Sequence, residues 1–227
     1  MIGRILPPEV ATAEASEDPA GASLFPEESA VIDRAFEKRR REFATVRHCA
    51  RLAMAELGLA PRPVLPGERG APRWPEGIVG SMTHCPGYRA AALARSSDIA
   101  SVGIDAEPHE PLPEGLFERI TTPAERSALG ELARDRPAVH WDRLVFTAKE
   151  SVYKTWFPLT ARWLDWEDAE LTFEPETHDF HAALSVSGPS ADARFPRAFT
   201  GRWLITETHV LSAIAVPHRP DTPSARS

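Results

Sequence analysis

The placement of its prolines limits this chain's fold more than any other feature. Twenty-two of them stand among 227 residues, and they crowd into residues 1–27, 60–77 and 108–123. Proline fixes φ and removes a backbone donor, so none of these stretches makes a long helix or a central strand. The first reads as loop with one strand near the start, the second as an extended loop rich in glycine, the third as loop with short helical pieces. Between them remain helical windows and a series of short apolar runs of strand length. That mixture predicts an α+β protein.

From Glu28 to Leu59 the pattern is helical. Phe43, Val46, Ala50, Ala53 and Leu57 recur at steps of three and four, as a buried stripe does, and Gly58 is a natural stop. Arg40, Arg47 and Arg51 fall on one face of that helix, with Arg39 at its edge. Two further helices are expected over Ala124–Ala133 and Trp141–Phe157. Strands are expected over Gly77–His84, Tyr88–Ala94 (the second arm of a hairpin turned at Pro86-Gly87), Ile99–Asp105, Ala169–Phe173, Ala182–Val186, Gly201–Glu207 and His209–Val216. Residues 218–227 read as a disordered tail. One weak echo is present. Thr83-His84 and Thr208-His209 each follow an apolar strand, which fits a duplicated unit or chance.

Composition removes several function classes. Apolar content of 42% and charged content of 26% are ordinary for a globular protein. No apolar run approaches the roughly 18 residues of a membrane span, and the first residues lack a signal-like apolar stretch, so a cytoplasmic protein is expected. A net charge of -7 argues against a general nucleic-acid binder. The basic run Lys38-Arg39-Arg40-Arg41 suggests a small anionic ligand instead. Cys49 and Cys85 make no disulfide framework and read as buried thiols.

Three carboxylates carry the chemistry. Asp105 and Glu107 alternate at a strand end and so point to one side. Glu150 lies on a later helix. Three convergent acids suit magnesium, a hard cation that takes oxygen ligands and keeps substrate phosphates among them. Taken alone, an Asp-x-Glu is more often a turn cap beside a solvated glutamate. Lys149, Glu150 and Lys154 are by themselves no more than an exposed helical ion pair. Phe146, Val152, Tyr153, Trp156 and Phe157 around them argue for partial burial, where charges need partners. His84 after its strand is a packed or capping residue, or a phosphate contact. Neither a P-loop nor a G-x-G-x-x-G fingerprint occurs, so a bound nucleotide must be held by side chains.

Together these segments resemble a known family. Val102-Gly103-Ile104-Asp105-Ala106-Glu107, followed about forty residues later by Phe146-Thr147-Ala148-Lys149-Glu150-Ser151-Val152-Tyr153-Lys154, looks like the signature pair of 4′-phosphopantetheinyl transferases. Gly80-Ser81-Met82-Thr83-His84-Cys85-Pro86-Gly87-Tyr88 resembles a third motif of the surfactin/enterobactin-type branch. Arg39-Arg40-Arg41-Glu42-Phe43, Val46-Arg47-His48-Cys49-Ala50-Arg51 and Arg73-Trp74-Pro75 look like actinobacterial members. The resemblance runs from about residue 25 to 216.

It implies a monomer of two similar α/β halves related by a pseudo-twofold, residues 1–100 and 101–217, with the active site between them. It implies transfer of phosphopantetheine from coenzyme A to a serine of acyl or peptidyl carrier proteins, releasing 3′,5′-adenosine bisphosphate, in polyketide, nonribosomal peptide or fatty-acid synthesis. By residue, Asp105, Glu107 and Glu150 would hold magnesium, or manganese in its place. Arg39, Arg47, Arg69 and His84, with Thr83 beside them, would contact the phosphates and adenosine of coenzyme A. Lys149 and Lys154 would bind the pyrophosphate, and Tyr153 and Trp163 would line the pantetheine path. Glu150 is the candidate general base, and Lys154 stabilises departing charge. Pro66 is a departure, since relatives can carry lysine there, and Arg69 stands near as its substitute. A carrier would dock near Leu112–Phe117. Two other classes stay open on sequence: a different magnesium-dependent phosphotransferase or nucleotidase, and a non-catalytic coenzyme A or carrier-binding module.

Overall fold

A computed structural model describes residues 1–185 and 196–218. The chain opens with a 3-10 turn over Ile2–Ile5, then β1 (Ala11–Ala15), α1 (Pro26–Ile32) and α2 (Glu37–Glu56). The proline-rich stretch that follows holds only the two-residue strands β2 (Leu65–Pro66) and β3 (Pro72–Arg73). After it come β4 (Ile78–Cys85), β5 (Tyr88–Arg95) and β6 (Ile99–Pro108). Next are α3 (Leu116–Ile120), α4 (Pro123–Asp135) and α5 (Trp141–Thr160). Four strands close the fold: β7 (Ala169–Glu174), β8 (Asp179–Leu184), β9 (Ala198–Ile205) and β10 (His209–Pro217).

The main sheets are antiparallel. One has the order β1-β5-β4, the other β6-β10-β9-β8-β7. In the first half α2 covers the small sheet, burying Cys49, Ala50, Ala53 and Met54 against Ala91 and Leu93. In the second, α5 lies on the larger sheet, with Leu144, Val152 and Trp156 packed among Leu171, Phe180 and Ile214. A third cluster joins the halves: Cys85, Tyr88 and Ala90 meet Val102, Ile104 and Leu211.

The two sheets meet along β4 and β6 through hydroxyls. Ser81 Oγ accepts the Ile104 N–H at 3.1 Å, and Thr83 Oγ1 accepts the Ala106 N–H at 3.3 Å. This seam brings the end of β4 beside Asp105. At Gly103 α5 comes close to β6, since a Cβ there would collide with the Ser151 carbonyl and with Thr155.

Several elements differ from their expected bounds. The window 28–59 is two helices, because the apolar stripe belongs to α2 alone, whereas α1 is held by the buried Glu28. Glu28 accepts hydrogen bonds from Phe25 N, Val64 N and Arg51. The strand expected over Ala182–Val186 starts earlier, at Asp179, because Phe180 pairs with Phe173 across the hairpin. Val186 lies outside the described residues. The Thr-His echo falls in both hairpins but at different places: His84 is the last residue but one of β4, whereas His209 begins β10. His218 is not free, since its N–H bonds the Asp98 carbonyl. The rest of the expected tail, 219–227, lies outside the described residues.

Candidate active site

A cleft of about 680 Å³ opens between the halves. Arg39 and Arg47 come from α2, Arg69 from the loop before β3, Thr83 and His84 from β4, and Glu150, Tyr153 and Lys154 from α5. Steps of three and four residues place Tyr153 and Lys154 one turn beyond Glu150 on the cleft side of α5. A smaller pocket of about 140 Å³ adjoins it, lined by Lys149, Trp163 and Trp166 and sharing Glu150 and Tyr153 with the cleft.

Asp105 sits at the seam, buried. Its Oδ1 accepts from Thr83 Oγ1 at 3.0 Å and from Lys154 Nζ at 2.7 Å. Its Oδ2 is buried and receives no hydrogen bond. Lys154 also donates to the Ile104 carbonyl at 3.2 Å. Burial would lower the Lys154 pKa, but Asp105, Glu150 and Glu107 outweigh it and raise the value, so the ammonium stays charged. Glu150 is held above the usual carboxylate range by burial and by Asp105, against the pull of Lys154. Glu107 is pushed up to about 7, by burial first and then by the charge of Asp105. The acids therefore feel one another's charge. Among the described residues, however, no three His, Cys, Asp or Glu side chains stand as a ready metal cluster.

On the α2 side of the cleft, Arg39 donates to His84 Nε2. Burial and the nearby Arg39 lower the His84 pKa, keeping the ring neutral. Arg47 is more withdrawn. It lines the cleft, yet its Nε donates to the Val64 carbonyl at 3.0 Å and its guanidinium lies 3.1 Å from the Phe43 ring centre. Burial pulls its pKa down to about 10. Arg51 is spent on Glu28, so the basic face of α2 is in part internal structure. Arg69, at φ 51°, places its guanidinium 5.1 Å from the Trp163 ring centre. Trp163 in turn meets Tyr153 edge-on at 5.3 Å. The loop that carries Arg69 thus reaches from the first half to the second. Pro66 lies in the short β2–β3 pair at the base of that loop.

Lys149 departs from expectation. Its Nζ donates to Glu125 Oε2 at 2.9 Å, the Trp166 carbonyl at 2.8 Å and the Ala169 carbonyl at 2.8 Å. Three acceptors exhaust an ammonium's donors. Lys149 is therefore a buried strut beneath the smaller pocket and has no donor left for a pyrophosphate. Thr83 differs too, since its hydroxyl faces Asp105.

The sequence reading missed Arg143. Its Nη1 donates to Glu107 Oε2 at 3.2 Å, its Nε to the Glu110 carbonyl at 2.9 Å and its Nη2 to the Pro111 carbonyl at 2.7 Å. A signal was present, because Arg143, Thr147, Glu150 and Lys154 follow one another at helical steps. Glu42 was also missed. It stands 3.8 Å from His84 and 3.9 Å from Arg89.

This arrangement can grip a phosphorylated nucleotide between arginines and a histidine while acids and one lysine face the reacting end. Comparison with known proteins agrees. Residues 27–94 match the family model of the 4'-phosphopantetheinyl transferase N-terminal domain, and residues 101–188 that of the 4'-phosphopantetheinyl transferase superfamily. The chain is 54% identical to 4'-phosphopantetheinyl transferase Svp of Streptomyces mobaraensis over 220 residues, covering 95% of this chain and 89% of that one. It is 50% identical to 4'-phosphopantetheinyl transferase Npt of Nocardia iowensis over 223 residues, 95% and 99% of the two chains. To 4'-phosphopantetheinyl transferase PptT of Mycobacterium tuberculosis it is 46% identical over 225 residues, 95% and 98%. With both halves matched in order and whole relatives covered at this identity, the chain belongs to the 4′-phosphopantetheinyl transferase family.

Proposed function

We propose that this protein moves the 4′-phosphopantetheine arm of coenzyme A onto a serine of apo carrier proteins, those of polyketide, nonribosomal peptide or fatty-acid synthesis. The observation that carries the reading is the Thr83–Asp105–Lys154 junction, where strands of both halves and α5 meet beside Glu150. The same proposal takes the protein as a monomer divided near residue 100 and acting in the cytoplasm. No described helix is long and apolar enough to cross a membrane.

The donor set fits a hard cation. Asp105 Oδ2 is a buried carboxylate oxygen without a hydrogen bond, and Glu107 and Glu150 have carboxyl pKa values that nearby positive charge would bring down. Magnesium commonly takes one or two carboxylates and completes its shell with water and substrate phosphate, so a ready three-acid cage is not required. Asp105, Glu107 and Glu150 would hold it, or manganese. When bound it supplies positive charge that polarises the pyrophosphate oxygens.

The protein's own groups do the rest. Arg39 and His84 hold the nucleotide phosphates, with Arg47 and Arg69 at the cleft wall. The Tyr153 hydroxyl, buried without a protein partner, suits an amide of the pantetheine arm, which Trp163 would flank. The carrier serine oxygen forms a bond to the β-phosphorus as the bond from that phosphorus to the bridging oxygen breaks. Glu150 takes the serine proton as general base. Lys154 faces the charge that develops on the departing phosphate, and 3′,5′-adenosine bisphosphate leaves. Positioning and charge neutralisation account for most of the catalysis in such transfers. Leu116 and Phe117 are partly buried against the second half's core, in which Leu112 is buried, and the 112–117 segment is the expected docking surface for the carrier.

The test is mass spectrometry of apo carriers incubated with coenzyme A and magnesium, where each modified carrier gains the mass of one arm. Asp105→Ala and Glu150→Gln should abolish the gain in folded protein. Full transfer by both variants would overturn the assignment. Hydrolysis of a nucleoside triphosphate with coenzyme A left intact would favour another phosphotransferase.

A further inference from the structure

We infer that Thr83 is a positioning residue that turns Asp105 so that a single oxygen, Oδ2, is presented to the cation. The inference rests on the transferase reading above.

Thr83 is buried on β4. Its hydroxyl oxygen accepts the Ala106 N–H at 3.3 Å, and its one proton goes to Asp105 Oδ1 at 3.0 Å. A threonine hydroxyl has one proton to donate, so its donor capacity is spent and nothing remains for a phosphate. Lys154 reaches the same Oδ1 at 2.7 Å. One oxygen of Asp105 thus carries two donors while the other, which is buried, carries none.

The two donors are not equivalent. An ammonium is a rotatable point charge on a flexible stem and would follow either carboxylate oxygen. Thr83 is β-branched, with few side-chain rotamers, and its hydroxyl is anchored to β6 through Ala106. Thr83 therefore sets the rotation of the carboxylate, and Lys154 follows it. Without the hydroxyl, the carboxylate can turn and Lys154 can compete for Oδ2. Partners that orient a ligand in this way typically change metal affinity by about 10–100-fold.

The experiment compares wild type with Thr83→Val and Thr83→Ser. Manganese affinity is measured by electron paramagnetic resonance in the presence of coenzyme A. Affinity for 3′,5′-adenosine bisphosphate is measured calorimetrically without metal. Thr83→Val should bind manganese about tenfold more weakly or worse, Thr83→Ser should stay near wild type, and bisphosphate affinity should hold in both. Thr83→Ala, which leaves room for water at the Ala106 N–H, gives the same readout if the valine variant does not fold. Unchanged manganese affinity in Thr83→Val would overturn the inference. So would a loss of metal-free bisphosphate affinity with manganese binding intact, which would return Thr83 to the phosphates. If wild type binds no manganese with coenzyme A, the cation reading itself fails and takes this inference with it.

Discussion

Lys149 and Lys154 share one helix and one sequence motif but meet different surroundings. Lys154 faces the cleft, whereas Lys149 is sealed against Glu125 in a pair whose side chains are almost fully buried. Removing one member of such a pair leaves an uncompensated charge and typically costs about 3–5 kcal/mol. Lys149→Met should lose stability on that scale in urea denaturation, and adding Glu125→Gln should recover part of it. A pyrophosphate ligand would instead lose coenzyme A affinity with stability intact. Glu107 gives a second prediction. Its folded pKa of about 7 exceeds the ordinary 4.5, so the folded state binds this proton more tightly than the unfolded chain. The Glu107 contribution to the stability of the metal-free protein therefore falls as pH rises from 4.5 to about 7 and is gone above it. Glu107→Gln should flatten that fall in denaturation curves taken across the range. At this scale strand alternation put Asp105 beside Glu107 and helical spacing put Glu150 beside Lys154, but the contact that joins the two pairs, from Lys154 to Asp105, is tertiary and no spacing shows it. The partners of Lys149 were not legible either, since two are backbone carbonyls far along the chain and invisible to any residue pattern.

Among the elements, β6 carries Asp105 and α5 carries Glu150 and Lys154, and Gly103 sets the distance between the two elements. A Cβ at that position would strike the Ser151 carbonyl and Thr155, and neither the carbonyl nor the adjoining backbone can swing aside. Gly103→Ala should push α5 off β6 and part Lys154 from Asp105. The expected result is a large drop in melting temperature with transfer activity lost. Wild-type stability in that variant would show the contact to be looser than drawn. The starts of α4 and α5 and most strands were readable from apolar periodicity and from the Pro86-Gly87 turn. The break between α1 and α2 was not. It depends on Glu28, a buried carboxylate that ties α1 to α2 and to Val64, and polarity alone marks such a residue as exposed.

For the molecule as a whole, the halves are not independent. The cluster that contains Tyr88 and Ala90 from one half also contains Val102, Ile104 and Leu211 from the other. Separating them would expose this apolar face to water at about 25 cal/mol per Å². Neither residues 1–97 nor residues 98–218 should fold alone. Circular dichroism of each fragment checks this, and cooperative melting of either one would refute it. The duplication could be suspected from sequence, but the hydroxyl seam that joins the copies could not, because serine and threonine in strands usually signify nothing beyond a solvated face.

The contact between Arg69 and Trp163 has an optical consequence. Of the six tryptophans, Trp163 is exposed, while Trp74 and Trp166 are half-buried and Trp141, Trp156 and Trp203 are buried. Its indole lies beneath a guanidinium supplied by the opposite half, so any opening or filling of the cleft changes the dielectric and the charge around that ring. The protein thus carries its own fluorophore at the joint between its halves. The red edge of its emission should follow coenzyme A binding without a label, and that response should shrink in Trp163→Phe to what Trp74, which lines the cleft, still gives.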